Sequence, residues 1–93
     1  MAHMARADSA ALATLAPLLR QLRNLPGLNE KQPGVFHLLG QAFVHFHDDD
    51  GRVSADLKKA SGIGFDRFAV DLPPAQRKFI DEARRRAAKM AED

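Results

Sequence analysis

A chain of 93 residues, 45% of them apolar and 28% charged, has the material for one small core and not for two. It contains no cysteine, which excludes a disulfide framework, a thiolate metal site and a cysteine nucleophile, and fits a reducing cytoplasm. No apolar run reaches the ~20 residues that span a bilayer, and a formal charge of +2 is too small to define a polyanion-binding protein by itself.

Residues 1–4, Met-Ala-His-Met, read as a cloning remnant, so the expected domain covers residues 5–93 and His3 is set aside from any metal argument. Leu12, Leu15, Leu18, Leu19 and Leu22 recur at helical spacing within residues 8–24, and Arg20 and Arg23 fall near the end, where cations suit the helix dipole. Pro17 interrupts the pattern, and the expectation is one continuous helix bent at that proline. Leu25-Pro26-Gly27 then ends it.

Residues 28–33 are polar and turn-rich and read as a loop. A strand follows over residues 35–39, and a turn built on Gly40 returns it antiparallel, pairing His37 with Ala42 and Phe36 with Phe43. Within residues 41–59, Ala42, Val44 and Phe46 alternate with Phe43, His45 and His47. After Asp48-Asp49-Asp50-Gly51, Val53, Ala55 and Leu57 alternate with Arg52, Ser54, Asp56 and Lys58. This period of two marks a half-buried hairpin. A four-residue turn over residues 48–51 would pair His47 with Arg52, His45 with Ser54 and Phe43 with Asp56.

Glycine-rich residues 60–64 form a loop, and residues 65–70 a fourth strand with Phe68 and Val70 facing inward. A last helix runs over residues 74–90, opened by proline at its first position. Phe79, Ile80, Ala83, Ala87 and Met90 form its apolar stripe. The order of helix, four strands and helix predicts an α+β fold, a two-layer sandwich with both helices on one face of an antiparallel meander sheet.

Val44, Phe46, Val53, Ala55 and Leu57 would then face the helices and leave Phe36, Phe43, His45, His47, Ser54 and Asp56 on the open face. Two phenylalanines on an uncovered face need a cover. Phe36, Phe43, His45, His47 and Asp56 are therefore the candidate surface for a protein partner or a second copy, and a non-enzymatic interaction module is the leading functional expectation.

Two alternatives rest on other residues. His45 and His47, two apart on a strand, point to one side and could chelate a zinc-type ion, with His37, Asp56 or Asp48 as third ligand; they also read as ordinary half-exposed strand residues. Lys58, Lys59, Arg77, Arg84, Arg85 and Lys89 could contact nucleic-acid phosphates, although the interleaved Asp81 and Glu82 favour a solvated helix face. The acidic turn is no EF-hand, because Phe46 and Leu57 occupy the first and last ligand positions. Lys58-Lys59-Ala60-Ser61-Gly62-Ile63-Gly64 lacks the spacing of a phosphate-binding loop. Ser9, Thr14, Ser54 and Ser61 are the only hydroxyl side chains and none has a nucleophile-elbow context, so no catalytic residue is predicted.

The run PGVFHLLGQAFVHFHDDDGRVSADLK, followed by FDRFAVD, resembles a group of small uncharacterised bacterial α+β proteins. These share a Gly-Val-Phe strand, an Ala-Phe-x-His-Phe-His strand and an Ala-Asp-Val/Leu strand. The resemblance covers the central half of the chain and implies no activity. In element order the chain is also similar to YjbR-like and frataxin-like proteins, but the acidic first helix with which frataxins hold iron is absent here, where that helix ends basic.

Overall fold

Short-range signals set most of the elements in the computed structural model, which describes residues 4–92, and of residues 4–6 the backbone only. Residues 1–3 of the expected cloning remnant lie outside the described residues, and Met4 begins a strand, β1 (Met4–Arg6). Asp8 caps α1 (Ser9–Ala13), its carboxylate accepting the Ala11 N–H at 2.9 Å. The chain then breaks and restarts as α2 (Ala16–Arg23) with Pro17 in its first turn. The expected single bent helix is therefore two helices. Pro17 has no N–H to offer the Ala13 carbonyl and its ring crowds that carbonyl, whereas in a first turn neither matters.

Residues 28–32, expected as loop, form the edge strand β2 (Leu28–Gln32). Only Leu28 and Glu30 are half-buried and the rest are exposed, and a polar, charged composition protects a sheet edge while also imitating a loop. The remaining elements are β3 (Val35–Leu38), β4 (Gln41–Asp49), β5 (Arg52–Lys58), β6 (Phe65–Ala69) and α3 (Pro73–Glu92). The strands form one antiparallel sheet in the order β2-β3-β4-β5-β6, and β1 joins β4 beyond the end of β3, placing Arg6 opposite His47. The fold is α+β, as the element order predicts. No helix among the described residues is long and apolar enough to cross a membrane.

Leu18, Leu19 and Leu22 of α2 join Phe79, Ile80, Ala83 and Ala87 of α3 in a single core with Phe36, Val44, Phe46, Ala55 and Leu57 of the sheet. Phe79 is the hinge of this packing, with ring centroids 6.2 Å from Phe46 and 5.6 Å from Phe68. Arg86 ties the helix to the sheet, donating to the Lys58 carbonyl at 3.1 Å and pairing with Asp66 at 3.0 Å. Gly34 has φ +76°, and a Cβ there would stand 2.8 Å from the Leu12 side chain, so the β2–β3 turn needs glycine both for its backbone and for α1 to approach.

Two register findings correct the expected open face. Between β3 and β4, His37 is opposite Ala42 as expected, but the next pair is Phe36 with Val44, so Phe43 is an extra residue in a bulge. The alternation is broken there: Phe43 and Val44 are consecutive and both fully buried, as is Phe36. Phe36 and Phe43 belong to the core and not to an exposed surface. In the next hairpin the reversal takes two residues, Asp50 (φ 52°) and Gly51 (φ 88°), and not four. Asp-Gly accepts positive φ at both positions, the conformation whose twist matches a hairpin, and the Asp48 carboxylate secures it by accepting the Gly51 N–H at 2.7 Å.

Two outcomes follow for stability. Phe43→Ala should cost about 3–5 kcal/mol in urea denaturation, as core truncations do, where an exposed phenylalanine would change stability by less than about 0.5 kcal/mol. Glu30 accepts from Arg23 at 2.6 and 3.0 Å and from the Gly34 N–H at 3.0 Å. The Arg23 hydrogen bond, helped by the Gly34 amide, holds its carboxyl below the ordinary value of 4.5 against the opposite push of burial. A lowered folded-state pKa gives stability that is complete above 4.5 and is lost as pH falls through the folded value. Glu30→Gln should accordingly flatten the acid limb of the stability profile, by at most about 1 kcal/mol for so exposed a pair.

Candidate metal centre

The two-residue reversal at Asp50-Gly51 extends β4 through Asp49 and aligns His45 with Asp56 and His47 with Ser54. These residues alternate with the core-facing Val44, Phe46, Ala55 and Leu57, and so stand on the sheet face away from the helices. On the other side of β5, Arg67 of β6 is opposite Asp56 and Ala69 is opposite Ser54. Side chains from three adjacent strands thus meet above the middle of the sheet.

Asp56 is at the centre and is only 8% exposed. Its Oδ1 accepts from Arg67 Nε at 2.9 Å, and its Oδ2 lies 3.2 Å from Arg67 Nη2 and 2.9 Å from His47 Nε2. His45 Nδ1 is 3.0 Å from His47 Nε2 and 3.9 Å from Asp56 Oδ2. Burial pushes the Asp56 carboxyl upward, but the Arg67 hydrogen bond and the charges of His47, Arg67 and His45 outweigh it and hold the carboxyl below its usual range. Asp56 is therefore an ionised acceptor at neutral pH.

The proton arrangement inside this group is frustrated. If His47 Nε2 carries hydrogen, it donates to Asp56 and His45 Nδ1 must face it as an acceptor; if His45 Nδ1 carries it, the lone pair of His47 Nε2 faces a carboxylate. Hydrogens on both nitrogens would oppose each other across 3.0 Å. Which nitrogen carries hydrogen depends on the tautomer, and all three atoms can present a lone pair.

Neighbours on β6 hold the group in place. The Phe65 ring lies 4.8 Å from that of His45, and Lys58 of β5 stands over the Phe65 ring, 5.3 Å from its centroid. The imidazoles meet edge to face at 4.9 Å and remain about one-quarter exposed, open enough for a ligand to enter. Among the described residues, His45, His47 and Asp56 are the group whose donor atoms converge within metal-binding distance of one another.

The sequence-predicted residues divide accordingly. His45, His47 and Asp56 come together. His37 does not join them, because it sits on β3 opposite Ala42, at the far end of β4. Lys59 approaches Asp66 at 3.8 Å, Arg84 pairs with Asp81 and Arg85 with Glu82. Lys58 leans on Phe65 on the open face, whereas Arg77, Arg84, Arg85 and Lys89 lie on α3. Arg67 and Phe65 were not singled out by sequence reasoning, although the alternation of Phe65, Arg67 and Ala69 against β5 places them beside Asp56 once the hairpin register is known. No protein-family model, curated protein or solved structure matches the chain, and its chemistry is read from its own side chains.

Asp56→Asn keeps the shape but removes the negative charge and one of the two acceptor oxygens to which Arg67 donates. It should lower stability by about 1–3 kcal/mol, the range for a disrupted buried polar contact, in urea denaturation at neutral pH without added metal.

Proposed function

We propose that the protein binds a divalent ion of the zinc or ferrous class through His45 Nδ1, His47 Nε2 and Asp56 Oδ2. The observation that carries this reading is the triangle of 2.9, 3.0 and 3.9 Å formed by the three atoms. The circle through them has a radius of about 2.0 Å, so one ion can reach all three at the ~2.0–2.2 Å that zinc takes to imidazole nitrogen and carboxylate oxygen. Two imidazoles and one carboxylate suit borderline ions and not calcium, which takes six to eight oxygens. Arg67 adds the outer support such sites use, fixing the carboxylate through Oδ1 while Oδ2 points at the imidazoles.

Three protein donors leave coordination positions for solvent or a ligand, and the ion, when bound, would supply Lewis acidity there. The interaction-surface expectation loses Phe36 and Phe43 to the core. Arg84 and Arg85 of the nucleic-acid expectation make exposed pairs with Asp81 and Glu82 of their own helix.

Metal binding to the folded chain raises its stability by mass action. Zinc titrated into the protein lacking residues 1–3 should raise the melting temperature until about one equivalent is bound. His47→Ala should abolish the rise and His37→Ala should leave it intact. An absent rise, or one of equal size in His47→Ala, contradicts the proposal.

A further inference from the structure

The end of the sheet away from Asp50-Gly51 breaks two local rules at once. There β3 and β4 are joined by a two-residue reversal, Leu39 (φ 54°) and Gly40 (φ 79°), whose φ values are close to those of Asp50 (52°) and Gly51 (88°) at the other end of β4. Aspartate accepts positive φ, whereas leucine is disfavoured there, and Leu39 recovers nothing by packing, being 69% exposed. The β5–β6 loop reaches the same end, since alternate turns of an antiparallel meander share an end, and it lies two strand spacings away, ~10 Å. Its backbone is fastened by the Lys59 N–H donating to the Gly64 carbonyl at 3.0 Å and the Gly62 N–H to the Lys59 carbonyl at 2.8 Å. It presents Ile63, 81% exposed, between two glycines of positive φ. A Cβ added at Gly40 or Gly62 would meet no atom within 4 Å, so both tips stand clear of the fold. The third large exposed apolar side chain among the described residues, Leu72, follows β6 at the opposite end.

We infer that this end of the sheet docks on an anionic lipid surface, with Leu39 and Ile63 entering the acyl boundary and Lys58 and Lys59 facing the headgroups. The charge beside the tips suits such a surface. Lys59 and Arg86 share Asp66, Arg85 and Arg86 share Glu82, and Lys58 stands over Phe65 and pairs with no carboxylate among the described residues. Cations therefore outnumber carboxylates in this network, while Asp48, Asp49 and Asp50 lie at the other end of β4. A protein partner fits the tips less well. A stable protein interface buries ~800 Å² a side around large anchors, and two separated aliphatic side chains form no such patch. A lipid interface takes isolated apolar tips of any shape, and its hold grows with the apolar area inserted and with the attraction of basic residues to anionic headgroups. This inference does not depend on the metal site.

The test is co-sedimentation with vesicles of phosphatidylcholine mixed with phosphatidylglycerol, and with vesicles of phosphatidylcholine alone, in the presence of a chelator so that no metal ion bridges protein and headgroup. The protein should sediment with the anionic vesicles, less so as salt rises, and far less with the neutral ones. The double variant Leu39→Asn/Ile63→Ser should weaken binding at least about tenfold, and Leu72→Ser, which removes an exposed apolar side chain from the opposite end, should leave it unchanged. Asparagine accepts positive φ, so Leu39→Asn should melt no lower than the parent and a loss of binding cannot be laid to misfolding. Four results overturn the inference: no sedimentation with anionic vesicles, equal sedimentation with neutral ones, binding that survives the double variant, or an equal loss in Leu72→Ser. A lipid-free dimer that Leu39→Asn converts to monomer also overturns it, by assigning the tips to contact between copies of the chain.

Discussion

The open face depends on a turn of two residues. Asp50 and Gly51 both take positive φ, which few residue pairs accept and which suits the twist of an antiparallel hairpin. A four-residue reversal at the same place would shift β5 by two positions along β4. Every residue would keep its face, yet Asp56 would stand opposite Phe43 and the carboxylate would lie away from His45 and His47. The candidate site is thus a consequence of turn chemistry, transmitted through strand register to side chains three to five residues away from the turn.

The second constraint is the buried Asp56 carboxylate. An ionised group removed from water is destabilising unless paired, and here it is paired on both oxygens. Arg67 supplies a permanent charge, and its two hydrogen bonds fix the plane of the carboxylate. The His47 contact is different in kind, because it depends on where a single proton sits. A fold needing only to neutralise Asp56 would be served by Arg67 alone. The convergence of two imidazole nitrogens near the same oxygen is the feature on which the proposed metal site rests.

Much of the fold was legible because most elements carry strong local signals. The apolar stripe of α3, the period of two in β5 and in β4 beyond Phe43, and the glycines of residues 60–64 agree with the structure. Several features were not legible, each for a physical reason, the two-residue turn at Asp50-Gly51 among them. The edge strand β2 buries little, so its polar residues carry no alternation. Pro17 permits either a bend or a restart, and packing decides between them. The bulge at Phe43 adds one residue to β4 alone, and nothing in a list of alternating apolar residues marks where such an insertion falls. That last miss moved two phenylalanines from the open face to the core, while His45, His47 and Asp56 kept their face because they lie beyond the bulge. Arg67 was hidden for a simpler reason, since its role appears only when β6 is set beside β5.

The most direct test of the account is an imidazole nitrogen NMR spectrum of the nitrogen-15-labelled protein with and without one equivalent of zinc. The account predicts that His45 Nδ1 and His47 Nε2 move to metal-bound shifts, that their other ring nitrogens become the protonated ones, and that His37 does not change. Unchanged spectra for His45 and His47, or zinc-induced shifts centred on His37, would contradict it.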